Sequence, residues 1–366
     1  MQTRQGRFSV QACASHFTLF YKHDKVTVAI FIYNPSVFKE EKAVKNELIW
    51  GYMLYLSNHM WADETSKPDW YYPTSNANVY QDAINTEIET WDAMVPFLAE
   101  RQYNLVLIDV GDGVQYESHP EVSAPNAWSK DFLRQKLNEM RAVGLEPIPK
   151  LNFSTCHDTW MKKYRRMIST PEYYAFCADV IREVCEVFDY PRFFHLGCDE
   201  ESASMQKNYE MIIVRNADLW WHDFYFLCNE CEKHGARPWI WSDYLWKNEE
   251  LFLKNMPKFV LQSNWFYPQF RDWSNTATPH RDRCIACYEL LDQHGYDQIP
   301  TGSTWNCVQN LYQTVAHGKQ KLSPGLLKGF MTAPWMSTRA EDYYALCADA
   351  DRLYYARKYL YPETLK

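Results

Sequence analysis

The chain has 366 residues, with 46 acidic against 38 basic side chains and a formal net charge of −8. It carries no dense Lys/Arg run that would neutralise phosphates, which argues against a nucleic-acid partner. Its longest apolar run near the start, Val26 to Tyr33, falls far short of the ~18–20 residues that span a bilayer, so no membrane span is expected.

Residues 1–45 show neither a clean signal-peptide pattern nor strong periodicity, and read as a short N-terminal appendage or the remnant of an exported precursor's leader region. The address is extracytoplasmic if such a leader exists and cytoplasmic otherwise. The eleven cysteines are irregularly spaced in a chain long enough to bury a core without disulfide staples, and so report no redox compartment.

From residue 46 short apolar runs alternate with amphipathic stretches, the pattern of parallel βα units. Strands are predicted at Leu48–Leu56, Asn104–Asp109, Pro147–Asn152, Arg192–Gly197, Arg237–Ser242, Phe259–Trp265, Asp297–Ser303 and Lys328–Pro334. After the first, Ile84, Ile88, Trp91, Val95 and Leu98 repeat at helical spacing, with Pro96 expected to kink or shorten the last turn. After the second, Ser129 is an N-cap flanked by Trp128 and Leu133 as a hydrophobic staple, and Gly144 ends the helix in a left-handed turn. After the third, Thr170-Pro171 caps a helix whose buried stripe is Phe176, Cys177, Val180, Ile181, Val184 and Phe188. The pairs Cys228/Cys231 and Cys284/Cys287 have zinc-like spacing, but both fall in helical stretches far apart in the chain, and no metal or other cofactor is expected.

Eight strands, each followed by a helix, predict a single (β/α)8 TIM barrel over residues 46–366, with its active site at the C-terminal strand ends. The rival, an open doubly wound sheet, lacks any Gly-x-Gly-x-x-Gly turn after a strand. Reading those strand ends gives Asn58 and His59, Asp109 and Asp112, Asn152 and His157, Asp199 and Glu200, Trp241 and Asp243, Trp265, Trp305 and Asn306, and Trp335. Hydroxyls suit carboxylates and amides, and the C–H faces of sugar rings pack on indoles, so the set fits a saccharide better than a phosphate. A chain with 15 tryptophans uses many of them for packing, so each one alone decides little.

Asp199 and Glu200 stand out because the apolar run Phe193-Phe194-His195-Leu196-Gly197 leads straight into them. The bland alternative is a solvated acidic turn, since Glu201 continues the run. Neighbouring side chains diverge at a strand end, so adjacent carboxyls can take different environments and protonation states, as cleavage of a glycosidic bond requires.

The segment His195-Leu196-Gly197-Cys198-Asp199-Glu200 resembles the His-x-Gly-x-Asp-Glu signature of family 20 glycoside hydrolases, the β-N-acetylhexosaminidases. Gly51 to His59 is similar to that family's first barrel strand, Gly-x-Met-Leu-Asp-x-Ser-Arg-His, and Pro149 to His157 to its Pro-Glu-x-Asp-x-Pro-Gly-His segment. The resemblance spans roughly residues 46–360 and implies that Glu200 is the general acid. It also implies that Asp199 orients a 2-acetamido group whose carbonyl oxygen is the nucleophile. Several positions depart from the pattern: Asn58 replaces an arginine, Tyr55 an aspartate, Lys150 and Asn152 a Glu and an Asp, and Asn306 falls near an expected tyrosine. No glutamate follows Trp335 in the usual way.

The expectation is an exo-acting glycoside hydrolase on β-linked hexosaminides or related hexosides. Glu200 and Asp199 are catalytic; Asn58, Asp109, Asn152, His157, His195, Trp241, Asp243, Trp265, Trp305, Asn306 and Trp335 bind a carbohydrate substrate. Two alternatives stay open: a glycan-binding barrel without turnover, and a β-galactosidase-type hydrolase using Asp243 or Asp109 as a second carboxylate. A metal-dependent lyase or hydrolase is disfavoured, because no His-Glu-x-x-His or comparable set occurs. The oligomeric state is left open.

Overall fold

The computed structural model describes residues 47–63, 79–270 and 278–366, together with the backbone of three strands between residues 7 and 33. The chain divides into two units, Met1–Glu47 and Leu48–Lys366.

In the first unit β1 (Arg7–Cys13), β2 (His16–His23) and β3 (Val26–Tyr33) form an antiparallel sheet in chain order. Phe8 pairs with Tyr21 and Leu19 with Ile30. The expectation of no periodicity here is corrected. Phe8, Val10 and Ala12, then Phe17, Leu19 and Tyr21, alternate with other residues at the period of two that marks strands.

The second unit is a closed parallel wheel. Its strands are β4 (Ile49–Tyr55), β5 (Leu105–Asp109), β6 (Glu146–Lys150), β7 (Phe193–His195), β8 (Arg237–Trp241), β9 (Leu261–Ser263), β10 (Thr301–Gly302) and β11 (Gly329–Thr332). They run in the order β10-β11-β4-β5-β6-β7-β8-β9. Bridges Gln262↔Gln298 and Trp265↔Thr301 join the last strand to the first and close the (β/α)8 barrel. Each falls on a predicted strand, most of them shorter than the apolar run, because the ladder stops where the barrel flares into its loops.

A helix follows each strand: α1 (Ile88–Glu100), α2 (Lys130–Ala142), α3 (Pro171–Val187), α4 (Ala217–Lys233), the pair α5 (Tyr244–Lys247) and α6 (Glu249–Asn255), α7 (Pro279–Gln293), α8 (Asn310–Lys321) and α9 (Tyr343–Leu360). Ser129 and Thr170 cap α2 and α3 by accepting from the N–H groups of Phe132 and Tyr173, which fixes where those helices start. Gly144 takes φ +84° just past α2. Pro96 does not shorten α1, which runs on to Glu100; only the bond its missing N–H would have made is forfeited.

Both faces of the wheel are apolar. Trp50, Tyr52 and Leu54 of β4 join Val106 and Ile108 of β5 in the layer beneath the helices, while Met53, Tyr55, Leu105 and Leu107 fill the interior with Trp239, Trp241 and Met331. Strands buried on both sides read as continuous apolar runs, so hydropathy locates them without revealing which residue faces inward. Among the described residues no helix is long and apolar enough to cross a membrane.

Candidate active site

The backbone beyond β7 turns sharply. Gly197, Cys198 and Glu200 all lie in the left-handed region, at φ +71°, +65° and +57°. Gly197 is required twice over, by its φ and because a Cβ there would meet Asn152 Oδ1 at 2.0 Å. Cys198 and Glu200 have no such licence, and each left-handed residue costs on the order of 1–3 kcal/mol.

Hydrogen bonds from the segments that follow β6 and β8 hold the turn in place. Glu200 N–H donates to Asp243 Oδ2 at 2.8 Å, Ser154 Oγ donates to the Asp199 carbonyl, and the Cys156 thiol lies 3.3 Å from the Glu200 carbonyl.

This geometry sends three successive carboxylates three ways, so the solvated acidic turn is not what forms. Asp199 points inward with its side chain 4% exposed, accepting from Asn152 Nδ2 at 2.9 Å with His157 Nε2 3.4 Å from Oδ2. Glu200 remains 22% exposed; its Oε2 accepts from Trp61 Nε1 at 2.6 Å and lies 3.3 Å from His157 Nε2, while Oε1 has no partner among the described residues. Glu201 turns away to Arg215 at 2.5 Å and Trp220 Nε1 at 3.0 Å.

A cleft of about 130 Å³ opens over this turn at the C-terminal mouth. Of the residues expected to bind substrate it gathers Trp265, Trp305, Asn306 and Trp335 with Asp199 and Glu200. It adds Met60, Trp61 and Tyr267, which sequence reasoning missed. Trp61 lies just past the strand-one residues singled out, and its φ of +58° brings its indole to Glu200. Tyr267 stacks on Trp265 with ring centroids 4.9 Å apart.

The other expected binders lie beneath or behind the cleft rather than in its wall. Asn58 is buried, its N–H given to Asn85 Oδ1 and its side chain hydrogen bonded to Tyr55. Asp109 is ion-paired with Lys150 in the barrel interior. Asn152, His157 and Asp243 hold the Asp199–Glu200 turn, and Asp243 Oδ1 also accepts from Trp265 Nε1 at 3.3 Å. His195 accepts the Gly197 N–H at 3.0 Å and sits against the rings of Trp239 and Trp241. Trp241, 1% exposed, is interior packing. His59 and Ser57 hold Asp112 at 2.9 and 2.5 Å in a separate buried cluster.

Electrostatics splits the two aspartates. Burial pushes Asp199 up, but the His157 charge and hydrogen bond, Lys150 and Asn152 outweigh it and hold the carboxyl down to about 2. Asp243 is pushed up to about 8 by burial and then by the charges of Asp199 and Glu200, against the pull of the Glu200 N–H. Burial acts to lower His157, yet Cys156 and Asp199 raise it well above its ordinary value. At neutral pH the site therefore holds an ionised Asp199, a cationic His157 and a protonated Asp243.

Among the described residues, metal-ligand chemistry gathers at Cys156, His157 and Glu200, whose donor atoms lie within 4.8 Å of one another. Burial holds the thiol up to about 12 and the imidazole carries a proton, so these donors do not fit a resident metal. The Cys228/Cys231 and Cys284/Cys287 pairs are buried on α4 and α7.

No protein-family model and no curated protein sequence matches the chain. Solved structures of like fold do. A β-N-acetylhexosaminidase from Bacteroides fragilis gives a TM-score of 0.56 at 14% identity, over 84% of this chain and 65% of its own. A Flavobacterium johnsoniae chitobiase gives 0.54 at 16%, over 94% and 51%, and a β-N-acetylhexosaminidase from Streptomyces coelicolor 0.55 at 13%, over 83% and 63%. The chain spans less than two thirds of the length of each of these structures. The likeness is one of fold.

Proposed function

We propose that this barrel is a glycoside hydrolase removing a terminal β-linked hexosaminide or closely related hexoside, with Glu200 as proton donor and Asp199 as the ionised carboxylate beside the anomeric carbon. The observation that carries this reading is the divergence of two adjacent carboxylates within one tryptophan-walled cleft: one held anionic, the other presenting an unpartnered oxygen. The names of the solved structures of like fold, hexosaminidases and a chitobiase, agree with it. At about 130 Å³ the cleft lies below the ~300–1,000 Å³ of sites enclosing drug-sized ligands, which favours one terminal ring over a threaded chain.

Glu200 protonates the glycosidic oxygen as the bond to the anomeric carbon breaks, and Asp199 stabilises the positive charge that develops. With a 2-acetamido substrate, the acetamide oxygen attacks that carbon while Asp199 accepts from the amide N–H. Glu200 then takes a proton from the incoming water, giving retention. The route through a second carboxylate is less favoured. Asp243 stays protonated to about pH 8 with both oxygens engaged, and Asp109 is paired with Lys150 and 2% exposed.

The test is a panel of aryl N-acetylglucosaminide, N-acetylgalactosaminide and galactoside substrates, with Glu200→Gln expected to lower kcat at least ~10²-fold. A glycan-binding barrel without turnover is the second reading. It is favoured by Tyr55 with Asn58 and Lys150 with Asp109, which satisfy one another below the cleft instead of lining it. Sugar binding with no turnover of any panel member would replace the hydrolase by this reading.

A further inference from the structure

The aromatic wall of the cleft comes from three separate segments: Trp265 and Tyr267 follow β9, Trp305 and Asn306 follow β10, and Trp335 follows β11. The strand ladder does not reach them. β9 ends at Ser263 and β10 is only Thr301 and Gly302, so something other than strand pairing must set the spacing of the wall. Asn310, the first residue of α8, is fully buried behind it and holds two of the segments at once. Its Nδ2 donates to the carbonyls of Phe266 at 2.6 Å and Pro268 at 3.1 Å, on either side of Tyr267. Its Oδ1 accepts from the Ser303 N–H at 3.0 Å, two residues before Trp305, and from Thr314 Oγ1 at 3.5 Å. Two bonds given and two accepted fill the capacity of one amide.

Asp349 of α9, also buried, ties the remaining segment. Its Oδ2 accepts from the Thr304 N–H at 3.2 Å and Thr304 Oγ1 at 2.7 Å, directly before Trp305, and its Oδ1 accepts from Thr332 Oγ1 at 2.6 Å, three residues before Trp335. Neither Asn310 nor Asp349 lines the cleft. The Asp199–Glu200 turn is held separately, by Ser154, Cys156 and Asp243. The two halves of the site meet where Trp265 Nε1 reaches Asp243 Oδ1 at 3.3 Å.

We infer that Asn310 and Asp349 are positioning residues for sugar affinity: they fix the spacing of the Trp265–Tyr267 side against the Trp305 and Trp335 side, and so the grip on a terminal sugar ring, without acting on the proton donor. The inference rests on the cleft being the sugar site of the proposed hydrolase. An interaction made equally in the ground and transition states changes KM and leaves kcat alone, which gives the clamp a kinetic signature.

Asn310→Asp is the test. It is nearly isosteric, keeps an oxygen for the Ser303 N–H and sets the other against the Phe266 and Pro268 carbonyls, so it releases one side of the wall. Calorimetric titration of the intact protein with N-acetylglucosamine and galactose measures Kd, beside kcat and KM on the aryl glycoside panel. Weakened packing of the ring on displaced aromatic side chains should raise Kd and KM about five- to tenfold, with kcat and its pH limits within about twofold of wild type. Asp349→Asn, which keeps the shape and part of the hydrogen bonding, should give a smaller rise of the same kind, and carries the test alone should Asn310→Asp fail to fold. Asn104→Ala is the control for lost stability. Asn104 likewise bridges two backbone segments, the Trp50 N–H at 2.8 Å and the Leu48 carbonyl at 2.9 Å, but at the opposite end of the barrel, and its loss should lower Tm while leaving Kd and KM unchanged. Kd and KM unmoved in both clamp variants, or an equal rise in Asn104→Ala, overturns the inference. A fall in kcat as large as the rise in KM overturns it too, and would mean that the clamp works through Trp265 on Asp243. Sugar bound by the wild type without turnover of the panel sinks the hydrolase and leaves the clamp to be judged on Kd; turnover with Kd and KM insensitive to both clamp variants does the reverse. Sugar neither bound nor turned over overturns both.

Discussion

The two ends of the barrel each carry a cavity, and the larger lies at the end where no chemistry is expected. At the N-terminal rim a hollow of about 380 Å³ is bounded by Gly144, Glu146, Phe188, Tyr190 and Arg192, against about 130 Å³ at the C-terminal mouth. Both ends also hold left-handed residues: Asp189 and Tyr190 at the rim, Trp61, Glu200 and Trp335 at the mouth. Neither volume nor backbone strain separates them. Satisfaction of charge does. At the rim Glu146 takes both Nε and Nη2 of Arg192 at 2.7 Å, and Asp297 is paired with Arg237 and Lys328. At the mouth two aspartates are driven to opposite protonation states around a glutamate with a free oxygen. Charges that complete one another stabilise a fold; charges held out of balance are available to a substrate.

Asp199→Asn breaks the contrast most sharply after Glu200→Gln. It keeps the shape but removes the anion, and kcat should fall ~10²–10³-fold, while the dissociation constant of a bound neutral sugar moves only a few-fold. Steady-state kinetics beside equilibrium binding measure the two. A loss below threefold in kcat would remove Asp199 from the chemistry.

Trp61→Phe should act less strongly. It deletes the N–H that holds Glu200 Oε2 but keeps an aromatic ring in the wall, and an ordinary hydrogen bond contributes about 0.5–1.5 kcal/mol net, so a fall in kcat of about two- to tenfold is expected. If the indole serves to aim the acid, aryl glycosides with poor leaving groups should lose more than those with good ones. Equal losses across the series would make Trp61 a wall residue only.

The opposed aspartates also set opposed pH dependences. Asp243 has its folded pKa raised above the unfolded value near ~3.9, so its contribution to stability is complete below that value and is lost as pH rises toward about 8. Asp199, held at about 2, behaves in reverse: its contribution is present above ~3.9 and disappears as pH falls toward 2. The wild-type Tm should therefore decline from about pH 5 to about pH 8, and Asp243→Asn should flatten that decline. An unchanged slope in Asp243→Asn would show that its carboxyl is already ionised at neutral pH.

Much of the mouth was legible because strand ends are legible. Trp265, Trp305, Asn306 and Trp335 sit just beyond apolar runs whose ends the sequence marks, as do Asp199 and Glu200. The inward or outward sense of each residue was not legible. His195 and Trp241 end strands apolar on both faces, and only the ladder register sends them into the packed interior. Trp61 was hidden for a different reason: a left-handed φ at a tryptophan has no local signature, although one more tryptophan three residues past Asn58 was there to be counted. The protonation of Asp243 depends on Asp199 and Glu200 packing against it from another strand, a tertiary fact that local sequence cannot carry.

Arg192→Ala tests the quiet end. The Arg192–Glu146 pair has ideal forked geometry, but the two side chains are 43% and 35% exposed, so solvent screens most of the attraction. Removing the guanidinium also strips its packing over the Phe193 ring, 4.5 Å away at the start of β7. The expected loss is at most about 1 kcal/mol in unfolding free energy, read by denaturant titration, with kcat/KM unchanged. Because β7 is only three residues long and ends at His195, just before the Asp199–Glu200 turn, it is a short rigid path from Arg192 at the rim to Glu200 at the mouth. A tenfold fall in kcat/KM on Arg192→Ala at unaltered stability would mean that this strand transmits the rim's geometry to Glu200, and the division between a structural end and a chemical end would not hold.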